Sequence, residues 1–244
     1  MRPGISSYLI VLSVAAVVTY VATPLVRNLS VRMGAVVRPD ERRVHKEPTP
    51  TLGGMAMLAG VLASLVAASL IGDFEAVFAA RTEVIGVAFA ATLMYVIGFV
   101  DDLYEVSAPA KLAGMVLAGS TLSLAGVSIF IFRIPFAGLF VLSTDLSFLV
   151  TVLWVVGMAN ATNLIDGLDG LAAGIIAIAA AAFFLYSDRL AAADVLASGN
   201  IGPLIAAITF GACLGFLPHN FHPCLLYTSP SPRDATLSRM PSSA

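Results

Sequence analysis

The sequence predicts an all-α membrane protein, a polytopic bundle of about seven transmembrane helices, and three observations lead to this fold class. Hydrophobic residues make up 59% of the 244 residues and charged residues only 11%, whereas a soluble domain carries about 25% charged residues. The mean hydropathy is +0.94, so the chain lacks the polar surface that a water-soluble protein needs. Apolar stretches of the length of a membrane-spanning helix recur along the chain.

Seven apolar stretches define the predicted spans. Each is close to the length that crosses the hydrocarbon core as a helix, although the fifth and the last two are short or interrupted. The first follows Arg2 without a small-residue cleavage site, so we expect it to be retained as a span. Their approximate bounds are Ser7–Val26, Gly53–Ile71, Val84–Val100, Leu112–Phe132, Phe148–Ile165, Leu171–Tyr186 and Ile201–Leu217.

The distribution of positive charge predicts the orientation of these spans. Cytoplasmic loops of membrane proteins carry the excess of lysine and arginine. The segment after the first span has this excess, with Arg27, Arg32, Arg38, Arg42, Arg43 and Lys46. We therefore expect the N-terminus outside and residues 27–52, 101–111, 160–170 and those after 217 on the cytoplasmic side.

Charge and cysteine content exclude some classes of partner and cross-link. The formal net charge is −2, and no run of basic residues is dense enough for a nucleic-acid surface, so we expect no nucleic-acid partner. The two cysteines, Cys213 and Cys224, lie in an apolar run and in the C-terminal tail. They do not suggest a disulfide framework.

Two adjacent carboxylates, Asp101 and Asp102, end the third predicted span. They repel each other, and both lie at the negative pole of the helix dipole. A divalent cation removes both penalties, and Mg²⁺ binds one or two carboxylates and completes its shell with water and substrate phosphates. The pair therefore predicts a Mg²⁺ site, with Mn²⁺ as the alternative ion. The competing interpretation is that Asp102 only caps a turn in solvent.

Polar residues recur at every third position from Asn160 through Asn163 and Asp166 to Asp169. On a helix this spacing forms a slanting stripe of neighbouring side chains. Ionisable residues at the end of a span favour a functional role. Hydrogen bonding between helices explains the two asparagines but not the two acids in the same stretch.

The loop after the first span holds cations suited to phosphate oxygens, in particular Arg43, His45 and Lys46. The competing interpretation is that positive charge on this side, and its attraction to anionic lipids, requires no site. Lys111 is the only cation of its loop, and it either holds a phosphate or extends to the membrane interface.

Polar residues also follow the last span, namely His219, Asn220 and His222. Two histidines three positions apart, with no third ligand nearby, do not predict a zinc site. Two pairs of glycines four positions apart are typical of close contacts between helices, namely Gly170 with Gly174 and Gly211 with Gly215.

Four segments together resemble the polyprenyl-phosphate N-acetylhexosamine-1-phosphate transferase family. They follow the family's order, and the asparagine-rich segment is long and specific. The form Arg42-x-x-His45-x-x-Pro48 is similar to the branch that uses UDP-N-acetylglucosamine, and the phospho-N-acetylmuramoyl-pentapeptide transferase branch is the alternative. The segments are Arg43–Gly54, Gly98–Asp102, Asn160–Leu171 and Gly215–Pro223.

The resemblance implies a Mg²⁺-dependent transfer at a bacterial inner membrane, in which a polyprenyl phosphate attacks the β-phosphorus of a UDP-N-acetylhexosamine and UMP leaves. It implies catalytic and metal-binding roles for Asp101, Asp102 and Asp166. The substrate-binding residues that it implies are Arg43, His45, Lys46, Lys111, Asn160, Asn163, Asp169 and Asn220. The expected partners are the UDP-sugar, the polyprenyl phosphate and membrane lipid, and a homodimer stays open.

The resemblance stops after Pro223. The family would continue to a Gly-Asp-x-Gly motif, whose aspartate helps to hold the metal, and to further spans. Residues 224–244 are instead rich in serine and proline, which predicts a disordered tail, and we interpret it as non-native. We therefore expect one transferase domain over residues 1–223, incomplete at its C-terminus, that inserts into the membrane without catalysing the reaction.

An ion-coupled transporter is the alternative from a different class. Such a protein carries acids in broken helices near the membrane midplane and has an inverted repeat. Here the acids lie at one membrane boundary, and the sequence has no clear repeat. An inactive fragment of the transferase family is a further alternative.

Overall fold

In a computed structural model, residues 3–33, 36–37, 49–50, 53–104, 106–134, 136, 138–166, 169–197 and 199–221 are described. Within them the chain is mostly helical, with a short 3₁₀ helix at Gly72–Phe74 and two pairs of short strands. The helices are α1 (Ile5–Met33), α2 (Gly53–Ser69), α3 (Glu75–Ala79), α4 (Arg81–Tyr104), α5 (Ala108–Leu124), α6 (Thr144–Ile165), α7 (Leu171–Ala192) and α8 (Gly202–Asn220). The strands are β1 (Val36–Val37), β2 (Thr49–Pro50), β3 (Ile131–Ile134) and β4 (Gly138–Val141).

The all-α membrane fold class is confirmed, but the number of seven spans is not. Helices cover all or part of each predicted stretch, and five of those in the described residues are long and apolar enough to cross a membrane: α1, α4, α6, α7 and α8. A sixth candidate is α2 together with residues 72–79, which bend by 94° at the break between them. Helix α5 has 17 residues, which is short of the ~20 that a span needs.

The described residues divide into two compact units, the first from residues up to 79 and from 162 onwards, and the second from residues 80–161. In the first unit α1 packs against α2 and α8, and α7 packs against α8. In the second unit α4 packs against α5, and β3 pairs with β4.

Glycines let the helices of the first unit approach closely. A side chain at Gly211 would meet the backbone of Leu12 on α1, and one at Gly215 would meet the carbonyl oxygen of Ala16. Lipid tails are as apolar as the helices, so backbone proximity and van der Waals packing drive association here. The close helix contact predicted for Gly211 and Gly215 is therefore confirmed, whereas the one predicted for Gly174 is wrong, because a Cβ there would meet no atom of the described residues within 4 Å.

Hydrogen bonds and an aromatic contact join the start of α1 to the bend after α2. Oδ2 of Asp73 accepts hydrogen bonds from the Ser7 hydroxyl at 2.5 Å and from the Gly4 amide at 3.1 Å. A carboxylate is stabilised at a helix N-terminus by the unsatisfied amides there. The ring of Tyr8 packs edge-on against the buried Phe74, with 5.2 Å between the centroids.

The fourth apolar stretch contains a turn and a strand that the sequence analysis did not predict. Helix α5 ends at Leu124, and Gly126 follows with φ +102°, a conformation that glycine adopts without a Cβ penalty. The chain then enters an antiparallel hairpin with register Ile131↔Val141 to Ile134↔Gly138. The predicted span to Phe132 is therefore wrong in its last residues.

Replacing Gly215 by alanine should destabilise the first unit. The added Cβ meets a backbone carbonyl that cannot rotate away, and overpacking of this kind costs about 1–3 kcal/mol. The matched control is Gly174→Ala on α7, where an added Cβ would have no neighbour within 4 Å in the described part of the chain and alanine favours the helix by roughly 0.5–1 kcal/mol. Thermal unfolding in detergent should give a lower Tm for Gly215→Ala only. Equal Tm values would contradict the close α1–α8 contact.

Candidate functional site

Asp101 closes the turn between α4 and α5. Its Oδ1 accepts a hydrogen bond from the Val106 amide at 3.0 Å, and its Oδ2 lies 2.6 Å from the Nζ atom of Lys111. The cation compensates for the unfavourable position of a carboxylate at a helix C-terminus. Both oxygens of Asp101 are thus engaged within this unit, and Lys111 is held beside the acid pair.

The ion pair is half-buried, with side-chain exposures of 36% for Lys111 and 20% for Asp101. Pairs that remain in contact with water contribute little to folding stability. We therefore interpret the contact as orienting the Lys111 ammonium at the membrane-boundary end of α4. The adjacent Asp102 is half-buried at the same helix end and has interactions of its own.

Asn160 lies on α6 and faces α5. Its Nδ2 donates to the carbonyl of Val156 at 2.8 Å and lies 3.4 Å from the sulfur of Met115. The side chain is exposed, and the bond to the carbonyl four residues earlier fixes the direction of its amide. This contact with α5 agrees with the helix-contact interpretation of Asn160.

Asp166 directly follows α6 and is buried, with 8% of its surface exposed. Its amide still donates to the carbonyl of Thr162 at 3.2 Å, so the helical path reaches it. The spacing of three from Asn163, a half-buried residue of the last helical turn, is therefore retained. Asp169 lies three residues further on, in the turn before α7.

Burial sets the protonation of Asp166. Loss of hydration disfavours the carboxylate and raises the pKa of Asp166 from 3.8 to about 6. An acid whose pKa is higher in the folded than in the unfolded protein destabilises the fold as it ionises. The contribution of Asp166 to the free energy of unfolding therefore falls as the pH rises from about 4 to above 6. A cation beside the carboxylate would offset this cost.

Asn220 at the end of α8 holds the start of α7. Its Oδ1 accepts a hydrogen bond from the Gly170 amide at 3.1 Å, and both residues are buried. Gly170 has φ +72°, and a Cβ there would press on the ring of Phe221. The pair therefore requires glycine at 170 and fixes the backbone that immediately follows Asp169.

His219 is used for packing between α8 and α1. Its Nε2 lies 3.2 Å from the carbonyl oxygen of Tyr20, and the two rings are 4.7 Å apart between centroids. Arg43, His45, Lys46 and His222 lie outside the described residues, as does the tail interpreted as non-native. Among the residues that are described, no three histidine, cysteine or acidic side chains form a group able to hold a metal ion.

A family model of glycosyl transferase family 4 matches residues 84–228, which is more than half of the chain. The chain belongs to glycosyl transferase family 4. The match includes the acid pair, the asparagine-rich segment and Asn220, so the resemblance inferred from the sequence is confirmed.

Relatives fall into two kinds. The decaprenyl-phosphate N-acetylglucosaminephosphotransferase of Mycolicibacterium smegmatis is 40% identical over 222 residues, covering 89% of this chain and 54% of that protein. A probable undecaprenyl-phosphate N-acetylglucosaminyl 1-phosphate transferase of Bacillus subtilis is 30% identical, and the match covers 88% of this chain and 56% of that protein. The phospho-N-acetylmuramoyl-pentapeptide-transferase of Desulforudis audaxviator is 38% identical, and the match covers 90% of this chain and 70% of that protein. The chain thus spans about half the length of the first two relatives.

The structure brings together some of the predicted residues of this family 4 chain. Asp101 meets Lys111 within the second unit, and Asn220 meets the turn that carries Asp169 within the first. Gly170 was not predicted from the sequence as the partner of Asn220. The only signal was a glycine directly before an apolar helix, which is typical of many helix starts.

Replacing Asn220 by alanine should expose the turn before α7. The buried Gly170 amide loses its acceptor, which costs about 1–3 kcal/mol. Hydrogen exchange at Gly170, measured by mass spectrometry, should become roughly 5- to 150-fold faster, and Asn220→Asp should restore protection because it keeps an acceptor oxygen.

The matched control for this change is Asn200→Ala at the other end of α8. Oδ1 of Asn200 also accepts from a glycine amide, that of Gly202 at 2.8 Å, but at an exposed position where water replaces it. Exchange at Gly202 should change less than exchange at Gly170. Unchanged exchange in Asn220→Ala would show that Asn220 does not hold this turn.

Proposed function

We propose that the protein transfers N-acetylhexosamine 1-phosphate from a UDP-sugar, with UDP-N-acetylglucosamine as the first candidate, to a polyprenyl phosphate. The products are a polyprenyl-pyrophosphate-linked sugar and UMP, which feed cell-wall or surface-glycan assembly. The observation that carries the proposal is the 40% identity to a decaprenyl-phosphate N-acetylglucosaminephosphotransferase over a stretch that contains the acid pair and the asparagine-rich segment. The apolar helices agree with a substrate that resides in the bilayer.

The proposed reaction moves one phosphorus between two oxygens. An oxygen of the polyprenyl phosphate forms a bond to the β-phosphorus of the UDP-sugar, and the bond from that phosphorus to the bridging oxygen breaks. UMP leaves with the electron pair. A phosphate monoester has a second pKa of about 6, so the nucleophile is largely dianionic at neutral pH. Neutralising and aligning the phosphates then matters more than removing a proton.

The acids of each unit have the donor chemistry that Mg²⁺ prefers. Asp102 at the end of α4 and Asp166 after α6 offer carboxylates, and burial makes the charge on Asp166 costly without a cation. Mg²⁺ would neutralise the pyrophosphate and polarise its oxygens. We assign the metal to Asp101, Asp102 and Asp166, with Mn²⁺ as the alternative ion, and note that Asp101 already has two partners.

The other polar residues predicted from the sequence take substrate-binding roles in this proposal. Lys111, held by Asp101, supplies a cation to a phosphate, and Asn160 and Asn163 bind the sugar nucleotide. Asn220 acts through the backbone of Gly170, so its role includes positioning of the turn that carries Asp169. The remaining proposed phosphate ligands are Arg43, His45 and Lys46.

Transfer of phospho-N-acetylmuramoyl-pentapeptide is the second candidate. It is favoured by the 38% identity to such a transferase from Desulforudis audaxviator, of which the chain covers 70%. The two candidates differ in the donor sugar, so the product formed from each UDP-sugar distinguishes them. A homodimer is compatible with either candidate.

We place the protein in the bacterial inner membrane with its N-terminus outside and its acids on the cytoplasmic side. The excess of arginine and lysine after α1 supports this orientation. Single cysteines at Arg42, Asp102, Asp166 and His222, in a background without native cysteines, should escape an impermeant thiol reagent added to intact cells. Labelling of Asp102→Cys from outside would reverse the orientation.

Loss of the proposed metal ligands should abolish turnover in the full-length protein. Asp102→Asn and Asp166→Asn should each lower the rate of UMP release on the order of a thousandfold, because each removes charge stabilisation worth several kcal/mol. The control is Asp188→Asn, near the end of α7, which should retain turnover. Near-normal rates in Asp102→Asn would remove that residue from the site.

The same assay tests the expectation that residues 1–244 alone are inactive. The chain is compared with a version extended by the native downstream sequence, both supplied with Mg²⁺, polyprenyl phosphate and radiolabelled UDP-N-acetylglucosamine. Lipid-linked sugar from the extended chain only agrees with the expectation. Equal rates from both chains would refute it while supporting the transfer reaction itself.

A further inference from the structure

The β3–β4 hairpin of the second unit, together with Phe130 directly before it, exposes apolar side chains on both strands. Four of its residues are aromatic or aliphatic side chains with exposures of 59% for Phe130, 49% for Phe132, 63% for Leu139 and 74% for Val141. From Phe130 to Val141 the sequence contains one charged residue, Arg133. A surface of this kind marks a binding site, because soluble surfaces rarely carry contiguous apolar patches.

The apolar residues lie on both faces of the hairpin. Adjacent residues of a strand point to opposite faces, and exposures are 48% and 49% for Ile131 and Phe132, and 63% and 46% for Leu139 and Phe140. A folded partner or a second copy of the chain would cover one face and leave the other in water. A fluid apolar medium covers both faces at once.

The base of the hairpin is tied to a membrane-spanning helix. The amide of Ile129 donates to Oγ1 of Thr151 at 2.9 Å, and its carbonyl accepts from the hydroxyl of Ser147 at 2.9 Å. Helix α6 begins at Thr144, so these two residues lie about 5 and 10 Å along the helix from its start. The hairpin therefore starts beside the first two turns of a helix that is long and apolar enough to cross a membrane.

The tip of the hairpin carries a residue in an unfavourable conformation. Phe136 has φ +70° and a fully exposed side chain. Turns at this conformation favour glycine, asparagine or aspartate, so a phenylalanine there costs free energy in water. Contact of the ring with lipid would offset this cost.

We propose that the hairpin from Phe130 to Val141 is a lipid-binding element that lies in the interfacial layer of the bilayer, with its apolar side chains among the upper parts of the lipid chains. Two strands leave unpaired backbone groups at their outer edges, and such groups are not tolerated in the hydrocarbon core. The interfacial layer supplies both apolar contact and water for these edges. The hairpin thereby anchors α5 and α6 at a fixed depth.

Tryptophan fluorescence tests this proposal directly. The protein has one tryptophan, Trp154 on α6, and Trp154→Phe gives a background without it. Into this background Phe136→Trp, Leu139→Trp and Phe140→Trp are introduced singly, and each full chain is reconstituted into phosphatidylcholine vesicles with or without brominated acyl chains. Acrylamide serves as the quencher in water.

The unsubstituted chain, with Trp154 in its spanning helix, is the reference for lipid contact, and a free tryptophan derivative is the reference for water. All three reporters should be quenched by brominated lipid as Trp154 is, and shielded from acrylamide. Quenching by acrylamide alone would place the hairpin in water and overturn the proposal.

Shielding from both quenchers, or lipid contact at Leu139 but not at Phe140, would mean that a protein surface covers the hairpin, which also overturns the proposal. Elution from a size-exclusion column identifies any reporter that fails to fold. The other two then decide the outcome, since Leu139 and Phe140 sample the two faces separately.

Discussion

This structure depends on one constraint: every polar group that is removed from water needs a hydrogen-bonding partner. Helices satisfy their own backbone groups, so most of the chain is helical and apolar. Two polar residues with predicted site roles lie near helix ends, where a second polar group meets each of them. Lys111 meets Asp101 at the end of α4, and the Gly170 amide meets Asn220 at the end of α8.

Under the same constraint, the contacts in the middle of the helices differ in kind from the contacts at their ends. Within the spans, contacts depend on small residues such as Gly211 and Gly215, because lipid provides no hydrophobic force between helices. At the end of α8, a side-chain amide oxygen of that helix fixes the turn before α7. The position of the Asp169 backbone therefore depends on the close packing of the bundle that carries Asn220.

Much of the fold was predictable from the sequence, because hydropathy and length identify spanning helices without reference to tertiary contacts. The β3–β4 hairpin was not, since a short apolar run such as Ile129–Phe132 fits a buried strand and a buried helix equally well. The residue types of the candidate site follow from the sequence, and their roles stay predictions. The contacts of these residues were not predictable, because Asn220 and Gly170 are separated by 50 positions, and no local pattern links them.

We propose that a divalent cation compensates for the buried carboxylate of Asp166. The most direct measurement is the Tm of the detergent-solubilised chain as Mg²⁺ is added, since an ion that binds the folded state stabilises it by mass action. Mg²⁺ should raise the Tm of the unsubstituted chain and of Asp188→Asn, but not that of Asp166→Asn. An increase in the Tm of Asp166→Asn with Mg²⁺ that is as large as in the unsubstituted chain would contradict this proposal.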